Sequence, residues 1–206
     1  MSEKVFDEIG KYYDQLVGRY GHDFRACDYG QAQSQLLKFK VISQVSSFEG
    51  RSVLDVGCGF ADFKSFLAQL CGNVRYTGVD LSAEMVREAQ RKHTEADIRQ
   101  ANILAENFGT FDIVVANGIF YLLGADAWPL MQQLIARMFS CAKVAVAFNS
   151  LSSLAARHEP NEFYPEPARV LAFCQTLTPH VVLRHEYHDR DFTVFMYHAK
   201  PQVASQ

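Results

Sequence analysis

Segments with the two-residue period of a β-strand alternate with helical segments along most of this chain, and this alternation limits the fold more than any other feature. The candidate strands cover residues 52–57, 74–80, 97–103, 111–118, 143–150, 181–187 and 191–198, and helical stretches separate most of them. Strands that alternate with helices form crossover units and a parallel sheet covered on both faces. The pattern therefore predicts a doubly wound α/β fold.

The two ends of the chain depart from this alternation. The last two candidate strands are joined only by the residues HDR at 188–190, too few for a crossover, so we expect an antiparallel C-terminal hairpin in a seven-stranded, mostly parallel sheet. Residues 1–50 precede the first strand, include a helical-looking stretch and are expected to pack over the upper edge of the sheet. No repeat or linker divides the chain, which predicts one domain over 1–206, with its core at 51–206.

Composition excludes several functional classes. The first ten residues are too charged for a signal peptide, and no apolar run approaches the roughly 20 residues of a membrane span, so we expect a cytoplasmic protein without a membrane partner. The five cysteines form no C-x-x-C pair, which favours reduced thiols over disulfides or a zinc site. A net charge of −3 without a dense Lys/Arg cluster argues against a nucleic-acid partner.

The stretch SVLDVGCGFADF, residues 52–63, places two glycines between the first candidate strand and the next helix. Ligands bind at the carboxyl edge of an open parallel sheet, where this turn must lie. Gly57 and Gly59 allow the backbone to approach a ligand, and the helix N-terminus offers free N–H groups. The second candidate strand ends at Asp80, whose carboxylate can accept hydrogen bonds from both hydroxyls of a ribose. Together these features predict a cofactor that contains a nucleoside.

The residue at position 62 distinguishes between such cofactors. The dinucleotide pattern G-x-G-x-x-G requires a third glycine where this chain has Asp62, and no second nucleotide-binding half is present, which disfavours a nicotinamide dehydrogenase. The stretch VLDVGCGF instead resembles the first motif of the class I S-adenosylmethionine (AdoMet)-dependent methyltransferases, a strand followed by D-x-G-C-G. The resemblance extends over about residues 50–150 and implies a Rossmann-like fold with AdoMet as cofactor.

The resemblance also implies a set of cofactor contacts at the ends of the first four strands. The implied cofactor-binding residues are Asp55, Gly57, Cys58, Gly59, Asp80, Leu81, Asn102, Ile103, Asn117 and Gly118. Asp55 and the glycines would surround the methionine part, Asp80 would bind the ribose and Leu81 would pack on the adenine. Asn102 replaces an acidic residue that often accepts from the adenine amino group, with Ile103 beside it. Asn117, Gly118 and Ile119 would lie beneath the sulfonium, together with Phe120.

These residues also have structural alternatives. Asp55 can cap the turn that follows it, and Asp80 can be the N-cap of the helix that starts near Ser82. Asn102 and Asn117 can be ordinary residues at strand ends.

The residues NGIF at 117–120 narrow the class of acceptor that the resemblance implies. They match neither the N-P-P-Y-like tetrad nor the Pro-Cys nucleophile of nucleic-acid methyltransferases, and they supply no cluster of metal ligands. We therefore expect methyl transfer to O, N, S or C of a small molecule, without a metal, by a monomer or homodimer. The alternative is a non-catalytic AdoMet-binding or scaffold protein with the same fold.

Two segments are expected to reach the acceptor. The polar stretch 151–167 leaves the fifth candidate strand at the ligand-binding edge. The N-terminal segment 1–50 is predicted to be a lid, because its stretch 12–30 is rich in tyrosine and contains glycines that can act as hinges. The acceptor-binding candidates are Arg25, Phe120, Asn149, His158, Phe163 and Tyr164, and the catalytic candidates are Tyr13, His22 and Tyr29. His22 has the most suitable intrinsic pKa for a general base, and Arg25 suits an acceptor carboxylate. Alternatively, these residues only pack the segments against the core.

The run HEYH at 185–188 also contains two possible metal ligands. It spans the end of a strand and a hairpin turn, so we interpret it as a solvated turn.

Overall fold

A computed structural model of the protein describes residues 2–201. Its seven strands form one sheet in the order β3-β2-β1-β4-β5-β7-β6. The strands are β1 (Ser52–Val56), β2 (Arg75–Asp80), β3 (Asp97–Gln100), β4 (Phe111–Ala116), β5 (Ala142–Leu151), β6 (Val181–Arg184) and β7 (Asp191–Tyr197). The helices are α1 (Ser2–Tyr20), α2 (Ala32–Ile42), α3 (Asp62–Leu70), α4 (Ala83–Lys92), α5 (Ala127–Cys141) and α6 (Pro167–Leu177), with short 3₁₀ turns at Ser43–Val45 and Gly124–Asp126.

The strand pairing confirms the predicted fold class. Strands β1 to β5 all pair parallel with one another, whereas β7 pairs antiparallel with both β5 and β6. The strand order reverses between β1 and β4, which is where such sheets bind ligands. The largest differences from the predicted boundaries are at β3, which ends at Gln100, and at β6, which ends at Arg184. At the first of these, Asn102 starts a turn by accepting a hydrogen bond from the Leu104 N–H at 2.9 Å.

Successive residues of the central strands enter separate cores on the two faces of the sheet. Leu54 and Val114 pack with α5 and α6 on one face, whereas Val53 and Ile113 pack with α2, α3 and α4 on the other. Both faces of a parallel sheet must be covered, and strands buried on both faces carry continuous apolar runs such as IVVA in β4. The packing leaves the carboxyl ends of β1, β2 and β4 together at one edge.

The first helix is attached to the core at the N-terminus of α4. Ser82 is the N-cap of α4, as predicted, and accepts from the Met85 N–H at 3.1 Å. The Ser82 hydroxyl donates to Asp14 of α1 at 2.6 Å, and the Glu84 N–H donates to the same Asp14 oxygen at 3.1 Å. These bonds hold α1 beside the end of β2. None of the helices described over 2–201 has both the length and the apolarity needed to cross a bilayer.

Candidate functional site

A cavity of about 230 Å³ opens at the carboxyl edge of the sheet. Its wall is formed by α1, the loop and helix around residues 27–39, the ends of β1, β2, β4 and β5, and the first residue of β7. All of the predicted cofactor-binding residues line it, as do Tyr13, Tyr29 and Phe120. The structure therefore brings most of the predicted site together across the reversal of strand order.

The glycine turn after β1 forms one wall through its backbone. Gly57 and Gly59 have φ angles of +70° and +53°, a region that side chains with a Cβ rarely adopt. A Cβ at Gly57 would lie 2.4 Å from Cγ2 of Ile119, so the turn tolerates no side chain there. Cys58, between the two glycines, is buried against Gly78. Gly57 and Gly59 thus present backbone without a side chain to the cavity.

Asp80 connects this turn to the end of β2. One carboxylate oxygen accepts from the Gly59 N–H at 2.8 Å, and the other accepts from the Ser82 N–H at 2.9 Å. Burial raises the pKa of Asp80, and these backbone N–H groups oppose that shift. Because Ser82 is the N-cap of α4, Asp80 does not have the capping role that was its structural alternative. A carboxylate has about four lone-pair positions, so Asp80 retains capacity for a ligand.

Asp55 is a second buried carboxyl group in the same wall. It is only 3% exposed, and its Oδ2 accepts from the Tyr76 hydroxyl at 2.6 Å. Burial raises the pKa of Asp55 to about 7, with the Tyr76 hydrogen bond lowering it and the nearby Asp80 raising it. A buried acid that titrates near neutral pH gains its charge most readily when a cation binds beside it.

Three tyrosines and one carboxylate join α1 to the core. The Tyr13 and Tyr121 hydroxyls are 2.5 Å apart, Tyr121 donates to Asp28 at 2.9 Å, and Tyr12 donates to the same Asp28 oxygen at 3.0 Å. Burial raises the pKa values of Tyr13 and Tyr121 well above their ordinary range, so both remain protonated donors. Sequence analysis did not identify Asp28 or Tyr121, although Tyr121 directly follows the NGIF stretch.

A cluster of charged and polar side chains lines the cavity beside β5 and β7. Lys38 of α2 lies 3.1 Å from Asp191, and Nδ1 of His188 lies 2.8 Å from the other Asp191 oxygen. Arg190 donates to Tyr164 at 2.8 Å and lies 3.3 Å from Glu162. Lys38, His188, Arg190 and Asp191 were not predicted as site residues. The only signal was the HEYH run, which the sequence analysis interpreted as a solvated turn.

Two candidates from the N-terminal segment do not reach the cavity. His22 lies on the ring of Phe60, with its Nε2 3.3 Å from Asp62, on the outer side of the cavity wall. Arg25 is exposed and forms its ion pair with Asp23, two residues earlier, at 2.7 Å. Local partners hold both side chains away from the cavity, which corrects the expectation that the lid brings them to the acceptor. Tyr13 and Tyr29 do line it.

Asn149 does not line the cavity either. It lies behind two residues that do, Asn117 and Gly118, and hydrogen-bonds to both. It is fully buried, accepts from the Gly118 N–H at 2.7 Å and donates to the side chain of Asn117. Asn149 therefore fixes the turn that carries Asn117 and Gly118, which corrects its expected role as an acceptor contact.

The segment 151–167 lines the cavity through Leu151 and Glu162, neither of which was predicted. His158 stacks on Tyr164 at a ring distance of 4.1 Å, and the Phe163 side chain packs against the hydrophobic core. None of these three residues lines the cavity, which corrects their predicted contact with the acceptor.

Within the described residues, no three His, Cys, Asp or Glu side chains are grouped so that they could hold a metal ion.

Comparison with known proteins gives one family and one shared fold. Residues 53–144 match the methyltransferase domain family. The chain is 33% identical over 82 residues to trans-aconitate 2-methyltransferase of Afipia carboxidovorans, covering 39% of this chain and 32% of that protein. It is 39% identical over 74 residues to ribosomal RNA small subunit methyltransferase C of Enterobacter sp., covering 34% of this chain and 21% of that protein. The chain thus spans about a third or less of these relatives.

The shared fold extends over the whole chain. The solved structure of a DhpI–SAH complex superimposes with a TM-score of 0.70 at 17% identity, covering 98% of this chain and 100% of that one. At this identity the comparison shows a common fold.

Proposed function

We propose that this chain, which belongs to the class I AdoMet-dependent methyltransferases, binds AdoMet at the carboxyl edge of β1 and β2 and transfers its methyl group to a small-molecule acceptor. The observation that carries the proposal is the direct bond from the Gly59 N–H to the Asp80 carboxylate. This bond links the glycine turn, where the backbone can approach a ligand closely, to the carboxylate that can accept from the two ribose hydroxyls. Both lie in the same wall of the cavity. When bound, AdoMet supplies a methyl group on a positively charged sulfur.

The residues of this wall fit the chemistry of AdoMet. Asp80 would accept from the ribose hydroxyls with the lone pairs that Gly59 and Ser82 leave free. The buried Asp55 would face the positively charged methionine part, while Leu81 and Ile103 provide apolar surface for the adenine. The amide of Asn102 already accepts from Leu104 and has one further lone pair for the adenine amino group.

The N-terminal segment supports the proposal by covering the site. Tyr13 and Tyr121 line the cavity, and their hydrogen bonds through Asp28 join α1, the loop that follows it and the turn after β4. We therefore propose that the N-terminal segment is a lid and that the hydrogen bonds between Tyr13, Tyr121 and Asp28 hold it in the closed position. A closed lid would exclude water and hold the acceptor in line with the methyl group. Cytoplasmic location, one domain over 1–206 and a monomer or homodimer stay predictions.

Asp55 makes AdoMet binding dependent on pH. Because its pKa is raised from 3.8 to about 7, Asp55 is mostly neutral at pH 6 and mostly charged at pH 8. The affinity for the positively charged AdoMet should rise over this range by up to about tenfold. The stability of the unliganded protein should change in the opposite direction, falling as the pH rises from about 4 to 7, because the folded state then binds more protons than the unfolded state.

Isothermal titration calorimetry between pH 6 and 8 measures this dependence. The matched control is Asp55→Asn, which keeps the shape of the side chain and an acceptor for the Tyr76 hydroxyl but cannot ionise. A flat profile for Asp55→Asn and a rising one for the unsubstituted protein are expected. Parallel profiles would contradict a role for Asp55 beside the positive charge.

The proposed activity is tested by binding and then by transfer. We expect AdoMet and S-adenosylhomocysteine (SAH) to bind and NAD not to bind in calorimetry. AdoMet labelled in its methyl group, incubated with the protein and a cell extract, should transfer label to the small-molecule fraction. Label in RNA or protein would overturn a small-molecule acceptor, and binding without any transfer would favour the non-catalytic alternative.

A further inference from the structure

We propose that the end of the cavity beneath β5 and β7 binds an oxyanion of the acceptor, so that the acceptor is an acid with an apolar body. The residues concerned are Lys38, Ser150, His188 and Arg190, which we call the basic end. The inference deepens the proposed function and rests on it. It depends on three observations: two cations at the basic end, unpartnered donors there, and the separation of charge along the cavity.

The basic end holds two cations that come from distant parts of the chain. The side chain of Lys38 is only 10% exposed and enters the cavity from α2, and Arg190 enters from the turn before β7. Lys38 has three N–H donors and its ion pair uses Asp191 Oδ1, while within residues 2–201 the guanidinium of Arg190 is hydrogen-bonded only through Nη2. Both cations therefore have donors to spare.

Two polar atoms at the basic end have no hydrogen-bond partner. Among the residues described, neither Ser150 Oγ nor Arg190 Nε is bonded to anything, although both atoms are buried. Ser150 is only 3% exposed and belongs to the cavity wall. Leaving a buried polar group unpaired is unfavourable, so a ligand that hydrogen-bonds to these two atoms would be stabilised here.

The acids at the basic end are already engaged. Asp191 contacts Lys38 through one oxygen and His188 through the other. Burial alone would raise the pKa of Asp191, but these two contacts outweigh burial and the pKa is lowered. Glu162 accepts from the Tyr164 hydroxyl and from Arg190 through Oε2, and its Oε1 stays available as an acceptor. The spare donors of Lys38, Ser150 and Arg190 outnumber this one oxygen, and a carboxylate or similar oxyanion is the group that accepts several of them at once.

Charge is also separated along the cavity. The carboxyl groups of Asp55 and Asp80 line the part beside β1 and β2, whereas Lys38 and Arg190 line the part beside β7, with β4 and β5 between them in the sheet. A positively charged cofactor fits the first part and a negatively charged acceptor fits the second. Apolar side chains, including Phe39, Phe120 and Leu151, also line the cavity and can contact an apolar body.

Three probes that share one ring test the proposal. Benzoate, phenylphosphonate and neutral benzamide are titrated into the protein with and without saturating SAH, by calorimetry and by the side-chain ¹H–¹⁵Nε signal of Arg190, assigned with Arg190→Gln. We expect saturable binding of at least one of the two anions and a shift of the Nε signal, with no response to benzamide. The two anions show whether the site prefers a planar carboxylate or a tetrahedral oxyanion.

Substitutions identify the residues that bind the anion. Arg190→Gln should weaken binding of the anion by about tenfold or more, because a charged donor is lost. The matched control is Arg157→Gln, which removes the charge of an exposed arginine paired with Glu159 outside the cavity wall and should leave binding unchanged. Ser150→Ala should weaken anion binding without lowering the melting temperature, since its hydroxyl has no partner to lose in the described chain.

The result that would overturn the inference is equal binding of benzoate and benzamide, no binding of either anion, or equal effects of Arg190→Gln and Arg157→Gln. The SAH titration distinguishes a failure of this inference from a failure of the proposed function. If SAH binds and the anions do not, only the acid acceptor is wrong. If SAH does not bind, the proposed function itself fails.

Discussion

Replacing Asp80 with alanine should weaken AdoMet binding by at least tenfold. The carboxylate is buried at 8% exposure, and each hydrogen bond to a charged acceptor is worth about 1.5–3 kcal/mol, while about 1.4 kcal/mol corresponds to a tenfold change in affinity. Alanine would remove the proposed ribose contacts and also leave the Gly59 and Ser82 N–H groups without their acceptor. Calorimetry with AdoMet measures the loss directly.

Two further variants separate binding from folding. Asp80→Asn retains a carbonyl oxygen without the charge, so its affinity should lie between those of the unsubstituted protein and Asp80→Ala. Asp97→Ala removes a carboxylate from an exposed pair with Arg99 at the start of β3 and should bind AdoMet normally. A folded Asp80→Ala protein, judged by circular dichroism and melting, that binds AdoMet with unchanged affinity would refute the assignment of Asp80.

Gly57→Ala should reduce both AdoMet affinity and stability. An alanine at φ +70° occupies the left-handed region, which costs about 1–2 kcal/mol for a residue with a Cβ. Its Cβ would also lie 2.4 Å from Cγ2 of Ile119, a methyl group on a branched carbon that has little rotational freedom. Either the turn or Ile119 must move, and both line the cavity. We expect a loss of affinity of tenfold or more together with a lower melting temperature.

A second substitution separates the clash from the backbone strain. Gly57→Ala combined with Ile119→Ala removes the clashing methyl group but keeps the left-handed φ, so it should recover part of the AdoMet affinity. Gly72→Ala is the matched control, because a Cβ there meets nothing within 4 Å. Calorimetry and thermal melting compare the four proteins. Full affinity in Gly57→Ala would show that the close approach at this turn is not needed for binding.

The sequence alone determined the fold and the position of the ligand-binding edge. Strand and helix periods depend on residues a few positions apart, and the doubly wound seven-stranded sheet and its C-terminal hairpin followed from them. Gly57, Gly59 and Asp80 were found for the same reason. Each directly follows or ends a strand, so its place at the sheet edge depends on position along the chain.

Only the tertiary structure decided which side chains form the other end of the cavity. Lys38 lies on α2 and Arg190 before β7, and no local pattern relates residues so far apart in the chain. The same limit explains why His22 was predicted to reach the site and His188 was not: intrinsic pKa is a property of the residue type, whereas the contacts with Asp62 and Asp191 depend on packing. Backbone conformation is encoded by near neighbours, but the direction of a polar side chain is chosen by whichever distant segment offers it a partner.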